Sequence, residues 1–373
     1  MYRNKLNTGE ISRAGQAGIK ILLILLIIHS VNSPLFAQQD STSMFYPVSD
    51  TILNNFGLFE NDRLIEITLR FDITYFMENK PEDEYLDALL TWHFNDYDSI
   101  NKVVRLRARG NYRHRTCPFP PIRINLKKSD MGYADLQIID NIKVVTHCRD
   151  NKVYEDYMLK EYIMYKLYNI VTDTSFRVRL LKIKYIDTGS KGEYFSRYAF
   201  LLEPVDLLET RLNLLEQEDI QPALENIEDA LADKLSLFQF MAGNLDWYLP
   251  TIHNLKIFSR PDTENQELVV VPYDFDYSGF VNAEYSLPRD DLGLTNVRER
   301  AYIGPCRSEA EWRVLLDEFS EYHDQFIETI REFPYIDREN KKDLVEYVDS
   351  FYSLYRRDAI LEMLGQTCID INK

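Results

Sequence analysis

Four polar residues lie in otherwise apolar surroundings in the second half of the chain, and their types suit one kind of chemistry. Asp246 comes first, Asn254 follows eight residues later, and Asp274 and Asp276 follow the run 269–273. In phosphoryl transfer one carboxylate orients the attacking hydroxyl, while an amide oxygen and a second carboxylate hold Mg²⁺ across the phosphates. Oxygen ligands without cysteine suit a hard cation rather than zinc. The order of these residues favours a site for phosphate and metal; the alternative is that the acids only cap turns.

The elements around these residues are expected to bring them to one edge. A helix over 227–241 is predicted to end at a glycine, the residue that most often closes helices, so the first acid follows on a loop. Strands predicted at 253–260 and 267–273 form a hairpin. Its first strand starts beside the amide, and its second strand ends at the remaining acids.

The hydrophobic periodicity changes along the chain and predicts the fold class. Alternating apolar residues predict strands in the first part, whereas amphipathic spacing predicts helices later. This order predicts an α+β fold with a strand-rich N-lobe over about 61–150 and a helix-rich C-lobe over about 151–373. Besides the hairpin, the predicted strands are 64–71, 87–94, 102–109, 122–126, 142–146, 177–185 and 196–202, and the predicted helices are 156–170, 206–216, 227–241, 310–333 and 341–364.

Short motifs in this order resemble a known family. The segments GNLDW, HNLKIF and VPYDFDYSG resemble the catalytic and metal-binding segments of the CotH family of spore-coat-type kinases. They are also similar to the conserved pattern of HipA-like kinases. Upstream, Arg109–Asn111 resembles the R-G-N motif that opens CotH domains, and the basic strand Arg123–Lys127 follows it. The resemblance covers roughly residues 100–285 and extends to a group of exported proteins of Bacteroidetes-type bacteria.

The resemblance implies a single kinase-like domain over 61–373 with two lobes, which binds ATP with Mg²⁺ or Mn²⁺. It makes Asp246 the catalytic carboxylate and makes Asn254 and Asp274 metal ligands, with Asp276 as a second candidate ligand. The expected phosphate acceptor is a protein or a small molecule.

A kinase also needs a cation on the nucleotide phosphates, paired with an acid on a nearby helix. Lys143 lies in the last strand of the predicted N-lobe, and Glu161 lies in the helix that follows. Arg123 is the competing choice for the cation, and ordinary surface or capping roles for Lys143 and Glu161 remain open. The basic cluster Arg105–Arg115 is a further candidate for binding phosphate or sulfate, or it offsets nearby acids.

Three departures from the kinase pattern keep other functions open. Eight residues separate Asp246 from Asn254, whereas protein kinases use five. Phe-Asp follows Asp274, and residues 60–110 hold no glycine-rich phosphate loop. One alternative is therefore a catalytically inactive binding or structural protein of the cell envelope. Another is a carbohydrate-binding protein, because the chain holds 25 Tyr and 20 Phe.

The N-terminus has the layout of a secretory signal peptide. Residues 1–20 are polar and net basic, the apolar run 21–28 follows, and Ala37 offers a small residue for cleavage. The run is shorter than the roughly 20 residues of a membrane-spanning helix, so a cleaved signal over 1–37 is favoured over an anchor. A leader over 38–60 follows. The protein is predicted to be exported to the periplasm, the cell envelope or the medium, with no stable membrane span after cleavage.

The charge balance limits the partners. The formal net charge is −17 at pH 7, and the predicted signal peptide removes mostly basic residues. So acidic a chain disfavours nucleic acid, which is bound through clustered cations. A nucleotide remains compatible, because it is bound through local charges and a metal.

Four cysteines, at 117, 148, 306 and 368, carry information about the compartment. No pair has the close spacing of a zinc site, and in an exported protein an even number favours disulfides. Three pairings are open. We favour Cys117–Cys148 and Cys306–Cys368, because each pair lies within one predicted structural unit.

Overall fold

The strands of the first half of the chain close into a barrel in a computed structural model, which describes residues 57–93, 99–126, 136, 138–190, 192–218, 220, 224–261 and 267–370. Seven strands follow one another in the order β1-β2-β3-β4-β5-β7-β6. The strands are β1 Ile65–Phe71, β2 Leu86–His93, β3 Ser99–Ala108, β4 Ile122–Asn125, β5 Asn141–Val145, β6 Val178–Asp187 and β7 Tyr194–Leu202.

Barrel closure depends on one long-range pairing. β1 pairs with β6 in parallel, with Ile65 beside Leu181 and Phe71 beside Asp187, whereas all other neighbours in the barrel are antiparallel. In β1 every second residue is buried, so one face fills the barrel and the other faces outward. Closure leaves neither β1 nor β6 with an unpaired edge.

The described part of the chain confirms the mixed fold, with a strand-rich part followed by a helical part. The strand-rich part reaches Leu202, well past the predicted limit near residue 150. The strand pair predicted at 177–185 and 196–202 exists, but it completes the barrel instead of belonging to the helical part. Local periodicity indicates a strand and carries no information about which distant strand it pairs with.

Helices make up most of the rest. The longest buried helix, α3, begins after Asn151, whose side chain accepts a hydrogen bond from the Tyr154 amide. α3 packs against β7 on the barrel and against two helices of the helical part, α5 Asp229–Ala242 and α7 His323–Glu332. The helices are α1 Ile73–Asn79, α2 Tyr112–Thr116, α3 Lys152–Val171, α4 Val205–Leu212, α5 Asp229–Ala242, α6 Glu309–Ser320, α7 His323–Glu332, α8 Arg338–Tyr355 and α9 Ala359–Thr367.

Several predicted helices are shorter than expected. The helix predicted over 206–216 ends at Leu212, because Asn213 takes the left-handed conformation. The short strand β8, Leu215–Glu216, follows and pairs with the later strand β9, Leu255–Ser259. The predicted helices 310–333 and 341–364 are each divided in two, between α6 and α7 and between α8 and α9.

The predicted hairpin is confirmed. β9, Leu255–Ser259, pairs antiparallel with β10, Leu268–Pro272, so that the start of β9 lies beside the end of β10. The hairpin shares one hydrophobic core with α3, α5 and the C-terminal helices, and a second core fills the barrel. The site residues described below are attached to the ends of these buried elements.

Both favoured disulfides are present, Cys117–Cys148 and Cys306–Cys368. Two disulfides are compatible with an exported protein. Among the described helices, none is long and apolar enough to cross a membrane. The predicted signal peptide, 1–37, and the predicted leader up to residue 56 lie outside the described residues.

Candidate functional site

A cavity of about 560 Å³ lies where the barrel meets the hairpin β9–β10. Four groups of residues line it: the segment between β3 and β4, the ends of β5 and β7, the buried helix α3, and the loops around the hairpin. All the predicted acidic and amide site residues are among them. The lining residues are Arg109, Gly110, Asn111, Tyr112, Arg113, Arg115, Pro121, Val145, Glu161, Tyr165, Leu202, Asp246, His253, Asn254, Tyr273, Asp274, Asp276 and Tyr277.

The loop that carries Asp246 is held by the residues of its own motif. α5 ends at Ala242 and is capped by Gly243, whose φ of +59° favours glycine. A Cβ at Gly243 would also collide with the Tyr347 hydroxyl. The buried side chain of Asn244 accepts from the Asp246 amide at 3.1 Å. The indole N–H of Trp247 donates to the Asn244 carbonyl at 3.1 Å. The GNLDW segment therefore positions the Asp246 carboxylate rigidly at the end of a buried helix.

The long spacing between Asp246 and Asn254 is absorbed by a compact turn. Tyr248 and His253 exchange backbone hydrogen bonds of 3.2 and 3.0 Å. The chain therefore folds back so that its two ends lie side by side. Asn254 Nδ2 then donates to the Asp246 carbonyl at 2.6 Å and to Asp246 Oδ2 at 2.9 Å. His253 Nε2 lies 2.9 Å from Asp246 Oδ1. The departure from kinase spacing thus leaves these two site residues in direct contact.

Asp274 lies at the end of β10 in a left-handed conformation, with φ of +64°. Its amide donates to the Tyr165 hydroxyl at 2.9 Å, and the Tyr273 amide donates to the Asn254 carbonyl at 3.1 Å, which ties both ends of the hairpin together. The Asp274 carboxylate makes no hydrogen bond or ion pair with any described residue. Burial, followed by the negative charge of Asp276, raises its pKa. A cation in the cavity would relieve this electrostatic cost.

Glu161 has a different cationic partner from the one predicted. Arg113 Nη2 lies 2.6 Å from Glu161 Oε2 and 2.7 Å from Asp276 Oδ2, so this one guanidinium bridges both acids. The Tyr285 hydroxyl also donates to Asp276 Oδ2, at 2.9 Å. The Glu161 side chain is only 1% exposed. The prediction that Lys143 pairs with Glu161 is therefore wrong, because Arg113 of α2 occupies the position beside Glu161.

Lys143 and Arg123 instead belong to a row of cations on the outer face of the barrel. Arg107, Arg123 and Lys143 are direct cross-strand neighbours on β3, β4 and β5. Burial lowers the pKa of Lys143 to about 8, and the positive charges of Arg109 and Lys256 act in the same direction. Arg123 forms no ion pair within the described ranges. Like charges directly opposite one another are unfavourable, so the row favours an anion beside it.

Arg109 continues this row to the cavity. It directly follows β3, two residues after Arg107, and it lines the cavity. It forms no ion pair in the part of the chain that the structure describes. Burial lowers its pKa, while the charge of Asp274 opposes that effect. The cavity therefore has a cationic wall from the barrel side and a carboxylate wall from the hairpin side.

Sequence reasoning missed the role of Arg113 and the hydroxyl groups of Tyr165 and Tyr285. The basic cluster Arg105–Arg115 was a usable signal for Arg113, since Arg113 closely follows the R-G-N motif. No local pattern indicates that Tyr285 lies against Asp276, because this contact depends on how the loop after β10 folds back.

The residues fit a divalent cation only in the company of other ligands. Within the described residues no group of three His, Cys, Asp or Glu side chains is arranged to hold a metal. Asp274 offers a free carboxylate, and Asn254 offers its Oδ1, since its Nδ2 faces Asp246. Asp276 offers Oδ1, because Oδ2 is engaged by Arg113 and Tyr285. Mg²⁺ usually takes one or two carboxylates and completes its shell with water and substrate phosphates, which fits this set.

Comparison with known proteins adds no family to this geometry, because no family model and no curated protein matches the chain.

Proposed function

We propose that this protein is an exported, kinase-like phosphotransferase with the two-lobed arrangement of CotH-like kinases. In this proposal the barrel and the helical part are the lobes, and the cavity of about 560 Å³ binds ATP with Mg²⁺ or Mn²⁺. One observation carries the proposal: arginines from the barrel side and carboxylates from the hairpin side line the same cavity. A phosphate chain with a divalent cation is a ligand that uses both walls at once.

Each wall has a defined role. Arg109, which lines the cavity, neutralises the phosphate oxygens, and the nearby cations Arg123 and Lys143 add positive potential from outside the lining. Asn254 and Asp274 hold the cation, whose positive charge offsets the charge on the phosphates. Glu161, which lies in α3, orients Arg113 of α2. This Arg–Glu pair takes the place of the Lys–Glu pair found in protein kinases.

Asp246 is the group that accepts the proton of the attacking hydroxyl. Its side chain is 38% exposed and therefore reachable from the cavity. Burial raises its pKa, and the hydrogen bonds from His253 and Asn254 counteract this and keep the carboxylate in place. Each carboxylate oxygen accepts one of these hydrogen bonds and keeps a further lone pair, so the carboxylate is fixed in place and still able to receive a proton from the cavity.

A second candidate is a nucleotide-binding protein without turnover. It is favoured by the engagement of Asp276 with Arg113 at 2.7 Å, which takes one carboxylate oxygen away from a metal. This candidate shares the binding step with the first and differs only in phosphate transfer.

The binding step is tested by thermal unfolding with ATP, with and without Mg²⁺ or Mn²⁺. A ligand that binds the folded state raises the midpoint temperature by mass action. We expect a metal-dependent increase for the wild type, and its loss in Asp274→Asn. Asp83→Asn, which changes an exposed acid outside the cavity, serves as the control. No metal-dependent increase at millimolar ATP would overturn the proposal.

Phosphate transfer separates the two candidates. We expect the wild type to release ADP from ATP with Mg²⁺, and Asp246→Asn to bind ATP normally while losing this activity. A metal-dependent thermal shift without any ADP release would support the inactive binding protein instead.

A further inference from the structure

A second, smaller cavity adjoins the first at Asp246. It has a volume of about 210 Å³, and Asp246 and Tyr277 line both cavities. Asp246 therefore faces the proposed nucleotide cavity on one side and this cavity on the other. The remaining lining residues are Gly243, Leu245, Leu287, Pro288, Arg289, Leu294, Asn296 and Val297.

The chemistry of the second cavity differs from that of the first. Leucine, proline and valine side chains dominate it, and Arg289 is the only cation among the described residues that line it. Arg289 forms two hydrogen bonds of 2.7 Å with Asp291 and donates to the Leu245 carbonyl at 3.2 Å. Its charge is thus already neutralised and its side chain is held in place. The cavity suits an uncharged, apolar group.

The segment that forms the outer wall is anchored at both ends. Gly293 turns the chain with a φ of +74°, a conformation that favours glycine. Further along, Arg298 Nη1 donates to the two carboxylate oxygens of Asp343 at 2.7 and 2.9 Å, and its carbonyl accepts from the Tyr347 hydroxyl at 3.2 Å. The wall is therefore already formed before any ligand arrives.

The size of the cavity indicates what fills it. Pockets for whole small molecules usually measure roughly 300–1,000 Å³, so about 210 Å³ accommodates one side chain of a larger molecule. Leu287 stands at the rim with 73% of its surface exposed, which extends the apolar surface outward. An extended polypeptide that passes over Leu287 places one apolar side chain in the cavity and its neighbour against Asp246.

We infer that the second cavity selects the phosphate acceptor, a polypeptide in which a Ser or Thr is adjacent to an apolar residue. This inference rests on the proposed function. The acceptor hydroxyl oxygen forms a bond to the terminal phosphorus of ATP, and the bond from that phosphorus to the bridging oxygen breaks, which releases ADP. The hydroxyl proton passes to the Asp246 carboxylate and then to solvent.

The test uses a peptide library with one central Ser or Thr and randomised flanking residues, incubated with the full chain, ATP and Mg²⁺. We expect phosphate on peptides with Leu, Ile, Val or Phe beside the acceptor, and at least about tenfold lower kcat/KM with Asp or Lys there. Equal use of apolar and charged flanks would overturn the inference, as would phosphate transfer to small hydroxyl compounds alone.

A variant of the cavity gives a second measurement. Leu294→Glu should lower kcat/KM for a Leu-flanked peptide at least about tenfold. Leu294→Met, which keeps an apolar side chain, should leave kcat/KM close to the wild-type value. The metal-dependent thermal shift with ATP should stay unchanged in both variants. Val314→Glu, which adds a charge at an exposed apolar position on α6, is the matched control. Unchanged kcat/KM in Leu294→Glu overturns the acceptor site alone, whereas an absent thermal shift in the wild type overturns the proposed function.

Discussion

Asn254 donates to both the backbone carbonyl and the carboxylate of Asp246, at 2.6 and 2.9 Å, although eight residues separate the two in the chain. This contact fixes the distance between the proposed proton acceptor and the proposed metal-binding hairpin. Asn254 has a φ of +53°, a conformation that Asn and Asp tolerate better than most residues.

Asn254→Asp should therefore destabilise the protein through charge and not through backbone strain. Two carboxylates would face each other where a hydrogen bond now exists, and we expect a loss of about 1–3 kcal/mol in the free energy of unfolding at pH 7. Urea denaturation at pH 7 and pH 5 measures it, and the loss should shrink at the lower pH. Asn282→Asp is the matched control, since Asn282 has a φ of +52° and is exposed. Equal losses in both variants would contradict this explanation.

Asp274→Asn should make the protein without ligand more stable. Burial and Asp276 raise the pKa of Asp274, so its charged form is unfavourable in the folded state at every pH above the ordinary value of about 3.8. Asn removes this cost and also tolerates the positive φ. We expect a gain of about 1 kcal/mol or more at pH 7 that disappears near pH 4. The same variant should lose the metal-dependent shift with ATP. A lower unfolding temperature than the wild type without ligand would contradict the electrostatic cost assigned to Asp274.

Arg113→Met should be among the most destabilising changes at the cavity. Removing one partner of a buried ion pair leaves an uncompensated charge and typically costs about 3–5 kcal/mol. Here two buried acids, Glu161 and Asp276, lose the same cation. Arg313→Met removes an exposed arginine that also contacts two acids, and it should destabilise the protein far less, because water screens those ion pairs. Chemical denaturation of the two variants side by side provides the comparison.

The two disulfides should differ in their effect on ligand binding. Cys117 directly follows α2, and no residue of α2 is buried in the core, so the disulfide to Cys148 helps to hold Arg113 in place. Replacing both cysteines with Ala should weaken the metal-dependent shift with ATP as well as cost about 2–4 kcal/mol. Loss of Cys306–Cys368 should cost a similar amount and leave the shift intact. A normal shift in both double variants would exclude the role of the first disulfide.

His147 should make the protein sensitive to acid. Burial lowers its pKa to about 4, whereas the unfolded chain binds a proton near the ordinary value of about 6.5. Stability from this residue is complete above pH 6.5 and is lost as pH falls towards 4, by about 3 kcal/mol in total. The pH dependence of unfolding should be flatter in His147→Gln. An equally steep pH dependence in His147→Gln would contradict this assignment.

The sequence was sufficient for the parts of this protein that depend on local pattern. β1 alternates buried and exposed residues over its whole length, and its prediction is confirmed. The hairpin and the glycine at the end of α5 also follow from nearby residues. These local features bring Asp246, Asn254 and Asp274 to one cavity, as expected.

Contacts between distant segments were beyond that reasoning. The parallel pairing of β1 with β6 joins residues more than 100 positions apart, and the bridge from Arg113 to Asp276 joins residues even further apart. α2 has only five residues and no buried side chain, so it leaves almost no periodic signal. The cation opposite Glu161 was therefore misassigned, because its position depends on where α2 packs.

The closing strand pair of the barrel also determines how the chain has to be made. β1 begins at Ile65, yet its partner β6 ends at Asp187 and β7 is complete only at Leu202. A nascent chain that stops near residue 150 has five strands and two open edges, which are templates for aggregation. Such long-range pairing also slows folding. Expression of the barrel by itself should therefore start before Ile65 and continue past Leu202, and the unfinished barrel has to be protected from aggregation until that point.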